Sequence, residues 1–147
     1  MKTRKYVSVL IPILAVLIFT GGCATDKMTY KSKDYEIYGT WVNPNAKPVI
    51  QFGKMVFNID GVSESYNTIE STTSMNKKFV ITNKWVESKG VIIYTLIFDM
   101  GTEIELIYGL AKISDSGKTL ELSISKSDYP KEIDPKYTEY FIGYRQE

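Results

Sequence analysis

From residue 79 onward the chain is a succession of short apolar, β-branched and aromatic stretches, each cut off by a turn signal. Residues 79–87 end at Ser88-Lys89-Gly90, 91–98 at Asp99-Met100-Gly101, and 103–113 at a turn over 114–118, with 119–125 following. In Glu103-Ile104-Glu105-Leu106 and Thr119-Leu120-Glu121-Leu122-Ser123-Ile124-Ser125 apolar and polar residues alternate. A period of two places one set in a core and the other in water, as in a half-buried strand. The first half follows the same pattern less strongly, with strands over 36–42, 49–52 running into 55–59 with a kink at Gly53, and 62–70. Asn43-Pro44-Asn45, the tight turn Asp60-Gly61 and a Ser/Thr-rich loop over 71–76 punctuate it; glycine supplies the positive φ that a tight hairpin needs. The connection 128–136 holds Pro130 and Pro135 and so does not read as a regular helix. A last strand covers 137–145.

About eight strands joined mainly by short turns must pair with their sequence neighbours in antiparallel fashion. Such a meander with one apolar face removes its exposed edges by closing on itself. The expected fold is therefore all-β, a small up-and-down antiparallel barrel of about eight strands. The alternative is a β-sandwich, which generally needs longer Greek-key crossovers.

The chain has no histidine, the usual base near neutral pH and the commonest transition-metal ligand. With no histidine and a single cysteine, Cys23, Cys-His and Ser-His-Asp machinery is excluded, as is an internal disulfide. The ten glycines form no GxGxxG and no GxxxxGK[ST] phosphate loop. Glu103 and Glu105 share a strand face, but alternate acids there read as a solvated surface before they read as a glycosidase pair. The reading is a non-enzyme without cofactor or metal.

The N-terminus is built in three parts: Lys2, Arg4 and Lys5, then a 15-residue apolar run over 6–20 broken by Pro12, then Gly21-Gly22-Cys23. The run is short of the ~20 residues a membrane-spanning helix requires, so it reads as an export signal and not as a retained anchor. Its end resembles a bacterial lipoprotein signal, in which small residues precede an invariant cysteine; Thr20 stands where that family usually has Leu. The resemblance implies cleavage before Cys23, a diacylglycerol thioether on its sulfur and acylation of its new amino group. Residues 1–22 are then a signal peptide, 23–35 a lipidated, polar, flexible tether reaching roughly 18 Å, and 36–147 one folded domain. Ala24 in place of Asp resembles an outer-membrane sorting pattern, if the cell is Gram-negative. Loss of residues 1–22 removes three of 18 basic residues and no acid, leaving 15 against 17 acidic and a net charge of −2. Such a balance excludes nucleic acid as a partner, because phosphate binding needs clustered Lys and Arg.

Gly39-Thr40-Trp41 opens the first strand and Arg145 lies near the end of the last. This arrangement resembles the lipocalins, whose Gly-x-Trp signature begins the barrel and whose late arginine packs over that tryptophan at the closed end. The resemblance covers about residues 36–147 and implies a guanidinium stacked on an indole. Two features depart from the family: the helix expected before the last strand gives way to the proline-bearing 128–136, and Ser127-Asp128-Tyr129 falls one loop later than the family's Thr-Asp-Tyr.

Alternation followed from each hairpin points Phe57, Phe79, Trp85, Tyr94, Phe98, Leu106, Tyr108 and Tyr140 inward as ligand-lining candidates, and a one-residue slip reverses any strand's share. An eight-stranded interior is either filled by side chains or admits one small ligand. Two functions follow: an envelope-anchored protein binding a small hydrophobic or lipid-like molecule, or a filled barrel whose loops at 71–76 and 128–136 engage another envelope or host protein. The first requires a cavity of about 300 Å³ or more, the second an exposed apolar patch at the loops.

Overall fold

The computed structural model describes residues 35–47, 50–101, 105–135 and 140–147. The expected signal peptide, Cys23 and the expected tether up to residue 34 lie outside the described residues. Eight strands follow one another: β1 Gly39–Val42, β2 Lys54–Phe57, β3 Val62–Tyr66, β4 Met75–Ser88, β5 Val91–Asp99, β6 Leu106–Ser114, β7 Thr119–Ser125 and β8 Tyr140–Arg145. Each pairs antiparallel with the next, and β8 returns to β1 with Arg145 opposite Trp41, so the sheet is a closed up-and-down barrel. The all-β barrel expected from the turn spacing is the observed fold, and the sandwich is not.

Several boundaries differ. The segment 36–38 is a turn leading into β1, the strand expected over 62–70 stops at Tyr66, and β4 begins at Met75, inside the expected Ser/Thr loop. Gly53 separates β2 from the segment before it because the chain there meets backbone: a Cβ on Gly53 would lie 2.6 Å from the Thr68 carbonyl carbon. The β6–β7 turn is a short 3₁₀ turn, Asp115–Gly117, in which all three residues have positive φ.

One end of the barrel is plugged. Ile37 and Trp41 are fully buried, and the Trp41 indole N–H donates to Ile37 O at 2.8 Å. The Arg145 guanidinium lies 4.4 Å from the Trp41 ring centre and donates to Gly117 O (2.8 Å), Tyr38 O (2.9 Å) and Glu36 O. One side chain thus ties the N-terminal plug and the β6–β7 turn to the ring it covers, giving three of its five N–H donors to carbonyls. Gly39 has φ +126°, and a Cβ there would lie 2.9 Å from an Arg145 guanidinium nitrogen. That is the physical content of the Gly39-Thr40-Trp41 pattern: glycine leaves room for the group that stacks on the tryptophan.

Beside the plug, Lys84 Nζ contacts Glu36 Oε2 at 2.8 Å, and the Tyr94 hydroxyl donates to the same oxygen while accepting the Glu36 N–H at 3.1 Å. Burial works to raise the Glu36 carboxyl, but hydrogen bonds from Lys84, Tyr94 and its own backbone outweigh it and hold the group below its ordinary value. The Tyr94 hydroxyl is pushed up, first by burial and then by its bond to Glu36.

Candidate functional site

Among the described residues, three spaces compete as sites: the barrel interior, the outer face of β4, β5 and β6, and the loop end. The interior is packed by the described side chains. Phe57, Phe79 and Phe98 form a triangle of rings with centres 5.2 to 6.3 Å apart, and Tyr94, Leu96, Leu120 and Leu122 are fully buried around them. Near the loop end, between Phe52, Met55, Ser63, Ser65, Lys77, Phe98, Ile107 and Ile124, the inner wall leaves a space of about 30 Å³. That volume holds one water or so.

Of the eight residues expected to line the interior, Phe57, Phe79, Tyr94 and Phe98 face inward and fill it. Trp85, Leu106, Tyr108 and Tyr140 face outward, against expectation, for two reasons. In β4 the register with β5 shifts between Ile81 and Asn83, and this bulge turns the later odd-numbered residues outward, with Trp85 opposite the outward Ile93. In β6 and β8 the inward residues are Ile107, Ala111, Ile113 and Phe141, so each strand sits one residue off the expected register. Both strands carry apolar residues on two faces, and alternation alone could not choose between them.

The reason for two apolar faces is the segment after β7, which crosses the outside of the barrel as a strap. The Tyr129 ring meets Tyr108 edge-on at 5.1 Å, and its hydroxyl is 2.8 Å from Thr82 Oγ1. The Asp134 N–H donates to Ser123 Oγ at 3.3 Å. Ile93, Leu110 and Ser123 point away from the core and are buried all the same.

Between strap and sheet lies a groove of about 420 Å³. Ile93, Thr95 and Leu110 form its floor, Trp85 and Glu87 one side, and Pro130, Lys131, Glu132 and Ile133 of the strap the other, with Lys112 also in the lining. Trp85 is 41% exposed, a large ring presented to an open space. Lys112 is held by Glu121 at 2.9 Å, and Glu121 also accepts the Tyr140 hydroxyl at 3.0 Å. Burial first, and the bond to Glu121 second, push that hydroxyl above its ordinary value, so it stays a donor. Ile93 and Leu110 were not singled out from sequence, and Pro130 to Ile133 were singled out only as part of the 128–136 loop expected to engage another protein. The consecutive apolar pairs in β5 and β6 were the available signal, since a strand apolar on both faces is covered on both.

At the loop end a second recess of about 350 Å³ is lined by Asn43, Pro44, Ala46, Gly53, Asn67, Thr68, Ile69 and Glu70. Its walls mix Pro44, Ala46 and Ile69 with polar residues and carry no aromatic ring. Searches with protein-family models, curated proteins and solved structures match nothing to this chain.

Proposed function

We propose that the protein is an exported lipoprotein, anchored to the cell envelope through Cys23, that binds a small, largely apolar molecule in the groove between strap and barrel. The barrel is the rigid scaffold and takes no part in catalysis. The supporting observation is the contrast in volume: about 30 Å³ at the inner wall against about 420 Å³ in the groove, where small-molecule sites generally span ~300–1,000 Å³. Ile93, Leu110 and the Trp85 ring on one hand, and Glu87, Lys112, Lys131 and Glu132 on the other, suit a molecule with an apolar body and a polar or charged end. The lipocalin resemblance supports a ligand-carrying role, with the site moved from inside to outside.

The test is native mass spectrometry of protein purified from its own membranes. Wild type should retain a small molecule in stoichiometric amount, and Leu110→Asp should lose it while keeping the barrel's circular dichroism. Wild type without bound mass, or Leu110→Asp with undiminished occupancy, refutes the reading. For the anchor, labelled palmitate should enter wild type and not Cys23→Ala; equal labelling refutes the assignment.

A further inference from the structure

β4 outruns the strand beside it. On one side it pairs with β3 only as far as Lys78, opposite Val62, after which the Phe79 N–H donates to Gly61 O at 2.7 Å. From Val80 to Ser88 its pairing among the described residues is with β5 alone, and residues 82–88 are all exposed. Bulges at Thr82 and Glu87 interrupt this free edge and leave Asn83-Lys84-Trp85-Val86 as an unbroken run. A bare edge is a template for another strand, and bulges are a means of blunting one; here they confine pairing to a short central stretch.

We propose that this edge pairs antiparallel with the same edge of a second copy, about a two-fold axis at Trp85. A two-fold axis normal to the sheet keeps outer faces together, so a residue can face only residues of its own side of the sheet, and an isologous contact results. Centred on Trp85, the pairing sets the two indoles against each other on the outer face. On the inner face it sets the Lys84 stem against Val86, which is 66% exposed in the single chain. The Lys84 charge is already met by Glu36 at 2.8 Å, leaving its methylenes to cover the valine. Asn83 comes opposite Glu87: in the single chain its Oδ1 caps the edge-facing Lys84 N–H at 2.9 Å, and pairing turns that N–H to the Val86 carbonyl of the second copy and frees the Asn83 amide to donate to the carboxylate. Centring instead on Lys84 would oppose two ammonium groups, and centring on Val86 would set Glu87 against Trp85, which offers one indole N–H where the Asn83 amide offers two, and would leave Val86 without the lysine stem. Polar and apolar complementarity therefore select one register. Trp85 and Glu87 also form one side of the groove, so the contact and a bound ligand would share these two residues.

The register is tested by symmetric crosslinking. In full-length protein carrying Cys23→Ala, Trp85→Cys places two thiols across the axis, where paired Cα atoms lie about 4.5–5.5 Å apart, within disulfide reach. Under mild oxidation a covalent dimer should form at Trp85→Cys at least about tenfold faster than at Val80→Cys, an exposed β4 position five residues from the axis. Sedimentation equilibrium of full-length Cys23→Ala protein with Trp85 intact, in density-matched detergent, should show a concentration-dependent dimer that Val86→Lys weakens about tenfold or more. A monomer throughout the series, equal crosslinking at both positions, or a dimer indifferent to Val86→Lys overturns the proposal.

Discussion

The two faces of β4, β5 and β6 do opposite things with similar side chains. On the inner face, Phe79, Tyr94, Leu96 and Phe98 meet residues from strands around the barrel and leave almost no space. On the outer face, Trp85, Ile93 and Leu110 meet a single irregular strap that touches down at Tyr129 and near Asp134 and stands away between. The difference lies in the cover. A closed sheet folded on itself approaches its own residues from every side and packs densely, whereas a proline-bearing strap has no regular side-chain spacing with which to fill the surface beneath it. Apolar composition alone says that a face is covered; the regularity of the cover decides whether it becomes core or site.

The largest expected effect contrasts the two tryptophans. Trp41→Ala empties a fully buried position and removes the ring under Arg145, so a loss of about 3–5 kcal/mol is expected. Trp85→Ala, at an exposed position, should cost within about 1 kcal/mol. Urea unfolding of both variants measures this, and equal losses would break the contrast between faces. The same contrast at leucine sharpens it: Leu96→Ala on the inner face should cost about 2–5 kcal/mol. Leu110→Ala should cost less, because the strap can settle over the gap.

Gly39→Ala probes the stacked end directly. The positive φ and the 2.9 Å approach to Arg145 act together, and a cost of about 1–3 kcal/mol is expected from a non-glycine residue held in such a conformation. Thermal melts should show that Gly39→Ala loses less on an Arg145→Ala background, where the close contact is gone. Equal losses on the two backgrounds would show that φ strain acts alone. On the outer side, Tyr129→Phe removes the hydroxyl beside Thr82 and should cost about 0.5–1.5 kcal/mol. Its clearer readout is faster amide exchange confined to the strap.

The barrel was legible because its governing signals are local. Asp60-Gly61 and Lys89-Gly90 are observed turns with Gly61 and Gly90 at positive φ, and the strictly alternating Thr119–Ser125 forms β7 as expected, with Leu120 and Leu122 inside. The site was less legible because it depends on what covers the sheet. In β6, Ile107 faces inward and Leu110 outward, and both are buried, one by the barrel and one by the strap. Nothing within Leu106–Ser114 itself states which of the two covers belongs to which residue. The Thr82 bulge carried only a faint composition cue: Val80 and Ile81 before it are β-formers, Asn83 and Lys84 after it are not, and the turn of Trp85 to the outside follows from pairing with β5. Gly39, Trp41 and Arg145 were recognisable as a pattern, while the carbonyls of Glu36, Tyr38 and Gly117 that Arg145 engages belong to segments whose meeting is a tertiary fact.

The smallest effect concerns acid stability and separates the plug from both faces. Because the folded protein holds the Glu36 carboxyl below its ordinary value, the ionised form is favoured on folding. Its contribution is present above the unfolded value near ~4.3 and is lost as pH falls through the lower, folded value. Glu36→Gln keeps the shape of the side chain and removes the titration. The stability difference between wild type and Glu36→Gln should therefore be greatest near neutral pH, shrink below about pH 4, and level off in stronger acid. Partial exposure of both Glu36 and Lys84 allows solvent to screen the pair, which places this effect below the others. Lys84 extends from the same β4 stretch as Trp85, so hydrogen exchange at residues 83–86 should rise in Glu36→Gln at neutral pH and match wild type in acid. Exchange that differs equally at both pH values would mean that the carboxylate charge does not hold the hairpin to the plug.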